Sequence, residues 1–232
     1  MPLTAKPARR RPAAPARLSP KLKARAAEIF ARFDARDPDP QPELAYTNPY
    51  TFLVAVALSA QATDKSVNKA TAPLFKRADT PAAMLALGVE GLEAYIRTIG
   101  LYRTKARNVL AAAAILVEQY GGEVPLRREA LQALPGVGRK TASVVLNQLG
   151  IEPAIAVDTH VFRVSHRLAL STSPTPDGVE RDLMRLTPEP YRTRAHHWLI
   201  LHGRYVCVAR TPRCGVCPIA DLCPSRPLFA GA

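Results

Sequence analysis

Long hydrophobic runs are missing from this chain of 232 residues: its longest purely apolar stretch, Val109 to Val117, falls far short of the roughly 20 residues that a membrane-spanning helix needs. Cysteine is scarce and confined: there are four, all between Cys207 and Cys223. A disulfide framework spreads its cysteines to close long loops, so this clustering argues for metal. Acidic residues are also few, 19 against 32 lysines and arginines, for a net charge of +13. Such an excess requires counter-charge from a polyanion, with nucleic acid ahead of an anionic membrane. Neither strand-like alternation nor an internal repeat is visible, which leaves an all-α chain of many short helices and short loops.

The first 17 residues hold Lys6, Arg9, Arg10, Arg11 and Arg17 and no acid. They lack the apolar centre of a secretory signal, so a cytoplasmic, nucleoid-associated protein is expected. Residues 1–18 read as a disordered basic tail that adds weak phosphate contacts or stays inert in solvent. Without the five basic residues of that tail the chain still carries +8, so the basic character belongs to the folded body.

Helix punctuation recurs along the body. Ser19-Pro20 opens a helix with Leu22, Ala26, Ile29 and Phe33 on one face, and Asp37-Pro38-Asp39-Pro40 stops it. Asn48-Pro49 and Thr80-Pro81 have the same form, a capping side chain followed by proline in the first turn. Gly88, Gly100, Gly121 and Gly150 mark helix ends, Thr104 is placed to cap a long helix to about Tyr120, and Pro73 should kink or end the helix begun near Asp64.

The most informative stretch is Leu134-Pro135-Gly136-Val137-Gly138-Arg139-Lys140. A helical run over 128–134 meets a Pro-Gly-x-Gly turn, and a second helix follows from Arg139 to about Leu149. Gly136 and Gly138 allow a tight turn and close approach by another molecule, and the amides that open the second helix suit a phosphate. An ordinary helix–turn–helix connection would use the same residues. Lys140 separates the two readings. The first turn of a helix disfavours cations by about 0.3–1 kcal/mol each, yet this one carries Arg139 and Lys140 together. A nucleophilic amine must be neutral, and only about 0.04% of ordinary lysine is neutral at pH 7. The helix dipole, Arg139 and desolvation under a bound partner each disfavour the ammonium. Simple neutralisation of a phosphate by Lys140 is the alternative.

Eighteen residues further on, Asp158 precedes the helical pattern Thr159-His160-Val161-Phe162-Arg163. It suits an N-cap. Facing the hairpin, it could also stabilise positive charge on a sugar, or orient a water or the lysine. His160 reads as structural. Cys207, Cys214, Cys217 and Cys223 supply four thiolates from one short segment, suitable for tetrahedral zinc or an iron–sulfur cluster, and spacing does not choose between them. The first interval holds Arg210 and Arg213 and no acid, giving a basic loop aimed at phosphates.

Taken in order, Leu58-Ser59-Ala60-Gln61-Ala62-Thr63-Asp64, Gly100-Leu101-Tyr102, the hairpin with Lys140, Val157-Asp158-Thr159-His160, His197-Trp198-Leu199-Ile200-Leu201-His202-Gly203-Arg204 and the cysteine spacing resemble the endonuclease III family of helix-hairpin-helix DNA glycosylases. The resemblance runs from about Lys21 to Cys223. It implies two helical domains flanking a DNA cleft: a six-helix barrel with the hairpin over 42–152, and an iron–sulfur domain built from 19–41 plus 153–232. It further implies a bifunctional DNA glycosylase and abasic-site lyase that acts as a monomer on double-stranded DNA with an oxidised pyrimidine or an abasic site. In that picture Lys140 forms the Schiff base, Asp158 assists, and the cysteines hold a [4Fe-4S] cluster that supports folding and DNA binding. Gly136, Gly138, Arg139, Arg210 and Arg213 would meet DNA. Gln61 and Leu101 would fill the gap left by a flipped nucleotide; without the resemblance they read as a loop polar residue and a core leucine. Gln132 departs from the pattern, since relatives commonly carry glutamate there. Two rivals are an adenine-type mismatch glycosylase, which has serine at the lysine position and an extra C-terminal domain, and a non-catalytic metal-stabilised DNA-binding module.

Overall fold

Capping chemistry accounts for most of the helix starts. The computed structural model describes residues 18–229, so the basic tail, apart from Leu18, lies outside the described residues. Within them are ten α-helices and no strand, the all-α architecture expected. Helix α1 (Pro20–Arg36) begins with the Ser19 hydroxyl accepting from the Leu22 amide and stops at Asp37. Helix α2 (Pro49–Leu58) opens on a reciprocal Asn48–Thr51 capping box, and α4 (Pro81–Ile96) on Thr80. Each cap satisfies an amide that has no partner inside its own helix.

Two expectations are corrected. Helix α3 runs from Asp64 to Arg77 straight through Pro73. Pro73 and Lys69 are exposed, so water can take up the carbonyl that proline leaves unpaired, while Val67, Ala70, Thr71, Leu74 and Phe75 anchor the other face. Helix α5 (Tyr102–Tyr120) begins two residues before Thr104, on Leu101 in the left-handed conformation with no side-chain cap. As expected, Gly88 (φ 66°) separates two helical runs within α4 and Gly121 (φ 62°) ends α5. The remaining helices are α6 (Arg128–Gln132), α7 (Arg139–Gln148), α8 (Thr159–Arg167), α9 (Pro176–Leu186) and α10 (Arg192–Tyr205), followed by short 3-10 turns around the cysteines.

Two hydrophobic cores result. The first is centred on α2, whose Tyr50 to Leu58 are nearly all buried, as suits a helix apolar on every side. It takes its other members from 67–146. The second joins Ala26, Ile29, Phe30 and Phe33 of α1 to residues between Ile155 and Ile219, with Trp198 packed against Phe30 and Phe33. The Trp198 indole N–H donates to the Asp37 carbonyl at 2.8 Å, which ties α1 to α10. No helix among the described residues is long and apolar enough to cross a membrane.

Candidate active site

The hairpin is built from α6, the turn 133–138 and α7. Gly136 sits at φ 79°, and a Cβ there would come within 3.0 Å of Asn108 Cβ, so the fold itself requires glycine. Gly138 is different. Its φ of −83° suits any residue, and a Cβ there would meet nothing within 4 Å. The protein's own sterics therefore give no reason for glycine at 138. Gly138 caps α7 without a side chain, so among the described residues no capping side chain takes up the first amides of α7, and Gly136, Gly138, Arg139 and Lys140 are all exposed.

Lys140 and Asp158 line one cavity of about 250 Å³, together with Glu43, Gln61, Asp64, His196, His197 and Arg204 among others. Its walls come from both cores: Phe52 and Val56 of α2 on one side, and His196, Ile200 and Leu201 of α10 on the other. Asp158 caps α8. Its Oδ1 accepts from the His160 amide at 2.8 Å and the Val161 amide at 2.7 Å. Oδ2 has no hydrogen-bond partner among the described residues, so one oxygen fixes the carboxylate and the other is left free on a cavity-lining side chain. The capping role and the functional role are thus compatible in a single side chain.

His196 and Arg204 are site residues that the sequence did not single out. His196 is 3% exposed, and its Nδ1 has no partner among the described residues. Burial pushes its pKa down to about 3, with His197 and the Lys140 ammonium adding to the shift, so its imidazole is neutral at physiological pH. Arg204 binds Glu43 and, at 2.5 Å, Asp64, and Tyr205 also reaches Glu43. This group fastens the end of α10 to the start of α3 beside the cavity.

The other predicted contacts separate into two kinds. Gln61 and Leu101 are exposed, and both have left-handed backbones, with φ of 56° and 60°. At 64% exposure Leu101 is a surface residue, which corrects the plain reading of a core leucine. Arg210 and Arg213 are exposed. Arg139, by contrast, pairs with Asp177 at 2.9 Å and Glu180 at 2.8 Å on α9. Those acids oppose the charge that was expected to bear on Lys140. Gln132 is exposed at the end of α6 and is not among the residues lining the cavity. His160 is structural: its Nδ1 lies 3.2 Å from Arg163, and Gly203 of α10 packs so closely that a Cβ there would lie 2.8 Å from His160 Cβ.

All four cysteines are free and half-buried, and they line one small cavity with Arg167 and His202. Burial raises the thiols of Cys217 and Cys223 above their usual range, a cost that bound iron offsets by stabilising thiolate. Arg167 surrounds the first ligand, donating to the Val208 carbonyl at 2.8 Å and lying 3.3 Å from Cys207 Sγ. Arg163 donates to the Cys207 carbonyl at 3.2 Å and the Gly203 carbonyl at 2.8 Å. Helix α8 therefore carries Asp158 at its start and braces the cysteine segment with its later residues. The donor set fits a [4Fe-4S] cluster held by Cys207, Cys214, Cys217 and Cys223.

Comparison with known proteins agrees with this geometry. Residues 54–189 match the model of the HhH-GPD superfamily of base excision DNA repair proteins, and residues 207–223 match the iron–sulfur binding domain of endonuclease III. Endonuclease III of Escherichia coli K12 is 56% identical over 201 residues, covering 87% of this chain and 95% of that protein. Endonuclease III of Treponema pallidum is 59% identical over 196 residues, covering 84% of this chain and 92% of its own length. A solved endonuclease III, trapped as a covalent intermediate with DNA, superimposes with a TM-score of 0.81 at 44% identity over 89% of this chain and 97% of that one. These matches set aside the mismatch and non-catalytic readings. The chain belongs to the endonuclease III family, base excision repair DNA glycosylases with abasic-site lyase activity and a [4Fe-4S] cluster.

Proposed function

We propose that this glycosylase acts on oxidised pyrimidines and abasic sites in double-stranded DNA, as a monomer associated with the nucleoid, and that Lys140 is its nucleophile. The carrying observation is that Lys140 and Asp158 line the same cavity, Lys140 in the first turn of α7, which packs into the first core, and Asp158 capping α8, which packs into the second; we take the two cores as two domains over 42–152 and over 19–41 plus 153–232. The hairpin amides at Gly136 and Gly138, with Arg210 and Arg213, hold phosphates without reading sequence. The damaged nucleotide leaves the stack, and Gln61 and Leu101 fill its place; unstacking costs a few kcal/mol, part of which the inserted side chains recover.

In the cavity the Lys140 amine, once neutral, attacks the sugar C1′. The C–N bond to the base breaks, and the base leaves with a proton. The C1′–O4′ bond then breaks, O4′ takes a proton from solvent, and a protonated imine forms between Nζ and C1′. That cation acidifies the C2′ hydrogen, whose removal expels the 3′ phosphate and breaks the C3′–O bond. Water then hydrolyses the imine and restores the amine. The free Oδ2 of Asp158 stabilises the positive charge that builds on the sugar while Oδ1 remains bound to the α8 amides. Neutral His196 adds no charge beside Lys140.

The test is strand nicking on a duplex with one thymine glycol. The wild type should nick it, and Lys140→Ala should fall by at least a hundredfold with DNA affinity retained. Equal nicking by the two proteins would remove Lys140 from the chemistry.

A further inference from the structure

Lys105 is a buried cation that no step above uses. It lies in the first turn of α5 and is 8% exposed. It takes no part in any ion pair among the described residues. Its ammonium instead donates to two backbone carbonyls, Leu58 at 2.9 Å and Ala60 at 2.6 Å. Burial lowers its pKa, so the fold holds this group at a cost. Leu58 ends α2, where carbonyls lack partners within the helix and a cation is favoured. Capping alone could be done by a glycine or a surface side chain, so the position of the partners is the telling feature. Ala60 directly precedes Gln61. On its own helix, the Lys105 amide donates to the Leu101 carbonyl at 3.0 Å. The Lys105 side chain thus grips the backbone beside Gln61 from the first turn of the helix that Leu101 opens.

Among the described residues only three non-glycine residues have left-handed φ, and Gln61 and Leu101 are two of them. Their loops touch, since a Cβ on Gly100 would lie 4.0 Å from the Gln61 carbonyl. Left-handed backbone is unfavourable for such residues and persists where the surroundings impose it.

We infer that Lys105 is a positioning residue that clamps the Gln61 and Leu101 loops into one rigid, pre-strained pair, so that both side chains enter DNA together when a base pair is opened. The inference rests on the wedge role proposed for Gln61 and Leu101, and it adds the group that prepares them before DNA arrives. Pre-organisation of this kind removes an ordering cost from the step in which it is used. Its loss should slow opening of a duplex and leave the later chemistry intact.

The experiment compares single-turnover cleavage of a thymine glycol duplex with cleavage of an abasic site in a single-stranded oligonucleotide, which needs no base pair opened. Lys105→Met should slow the duplex reaction by at least tenfold and the single-stranded reaction by less than threefold. The rapid fluorescence rise of 2-aminopurine beside the lesion should be delayed to match. Lys105→Gln keeps a donor without the charge and should show a smaller loss, again on duplex only; it decides the matter if Lys105→Met does not fold. Equal losses on both substrates, or no loss on duplex, in the folded variant would overturn the clamp. Gln61→Ala and Leu101→Ala are the controls for the underlying reading. If neither slows duplex cleavage, the wedge assignment fails; if both do and the Lys105 variants behave as wild type, only the clamp fails.

Discussion

Gly138→Ala separates a structural glycine from a functional one. At 138 the backbone is ordinary, and an added methyl meets no atom within 4 Å. Alanine restricts the unfolded chain, worth about 0.4–1 kcal/mol in favour of folding, but it is a poorer helix N-cap than glycine by a similar amount. These effects oppose, so folding stability should change by less than about 1 kcal/mol. At 136 the outcome differs. The left-handed backbone alone costs alanine about 1–2 kcal/mol, and the 3.0 Å approach to Asn108 Cβ adds to it. Urea unfolding should therefore show Gly136→Ala clearly destabilised and Gly138→Ala near wild type. Affinity should invert the ranking relative to stability. If a phosphate sits on the α7 amides, a methyl at 138 holds it off, and binding to an abasic-analogue duplex should weaken at least tenfold, about 1.4 kcal/mol. Wild-type affinity in Gly138→Ala, measured at several salt concentrations, would refute the assignment of these amides to phosphate.

Other perturbations follow from the same geometry. The purified protein should be brown, with about four irons per chain; Cys214→Ser should lose iron and lower the melting temperature, whereas zinc and no iron in the wild type would contradict the cluster. For His196, the folded pKa of about 3 lies below the usual 6.5. Between those values the unfolded chain binds the extra proton, so this group's contribution is complete above about pH 6.5 and is lost as pH falls towards 3. The slope is at most about 1.4 kcal/mol per pH unit. Denaturation of His196→Gln should show a shallower acid limb than wild type, and identical limbs would count against the buried neutral imidazole.

Local chemistry was legible in the sequence, and tertiary partnership was not. Ser19, Asn48, Thr80 and Asp158 announce helix starts because a capping side chain acts within three residues of itself. The hairpin, the carboxylate and the cysteine spacing are likewise local, and together they point to the cavity that Lys140 and Asp158 line and to the iron–sulfur segment. Leu101 escaped because a left-handed start to a helix leaves no residue-type signal, and Thr104 offered a false one. Pro73 escaped because its tolerance depends on which face of α3 is wet. Lys105 reaches partners 47 and 45 residues away, and Arg204 meets Glu43 across 161. No window of sequence contains such pairs. Arg139 shows the converse. Its placement beside Lys140 was plain, but its engagement with Asp177 and Glu180 appears only once α9 is packed.

The bond between enzyme and sugar can be caught directly. Borohydride reduction during reaction with abasic DNA should fix the protein to the strand, and mass spectrometry of the digested adduct should place the deoxyribose remnant on Lys140, with no adduct from Lys140→Ala. An adduct on another amine, or one undiminished in that variant, would contradict the account.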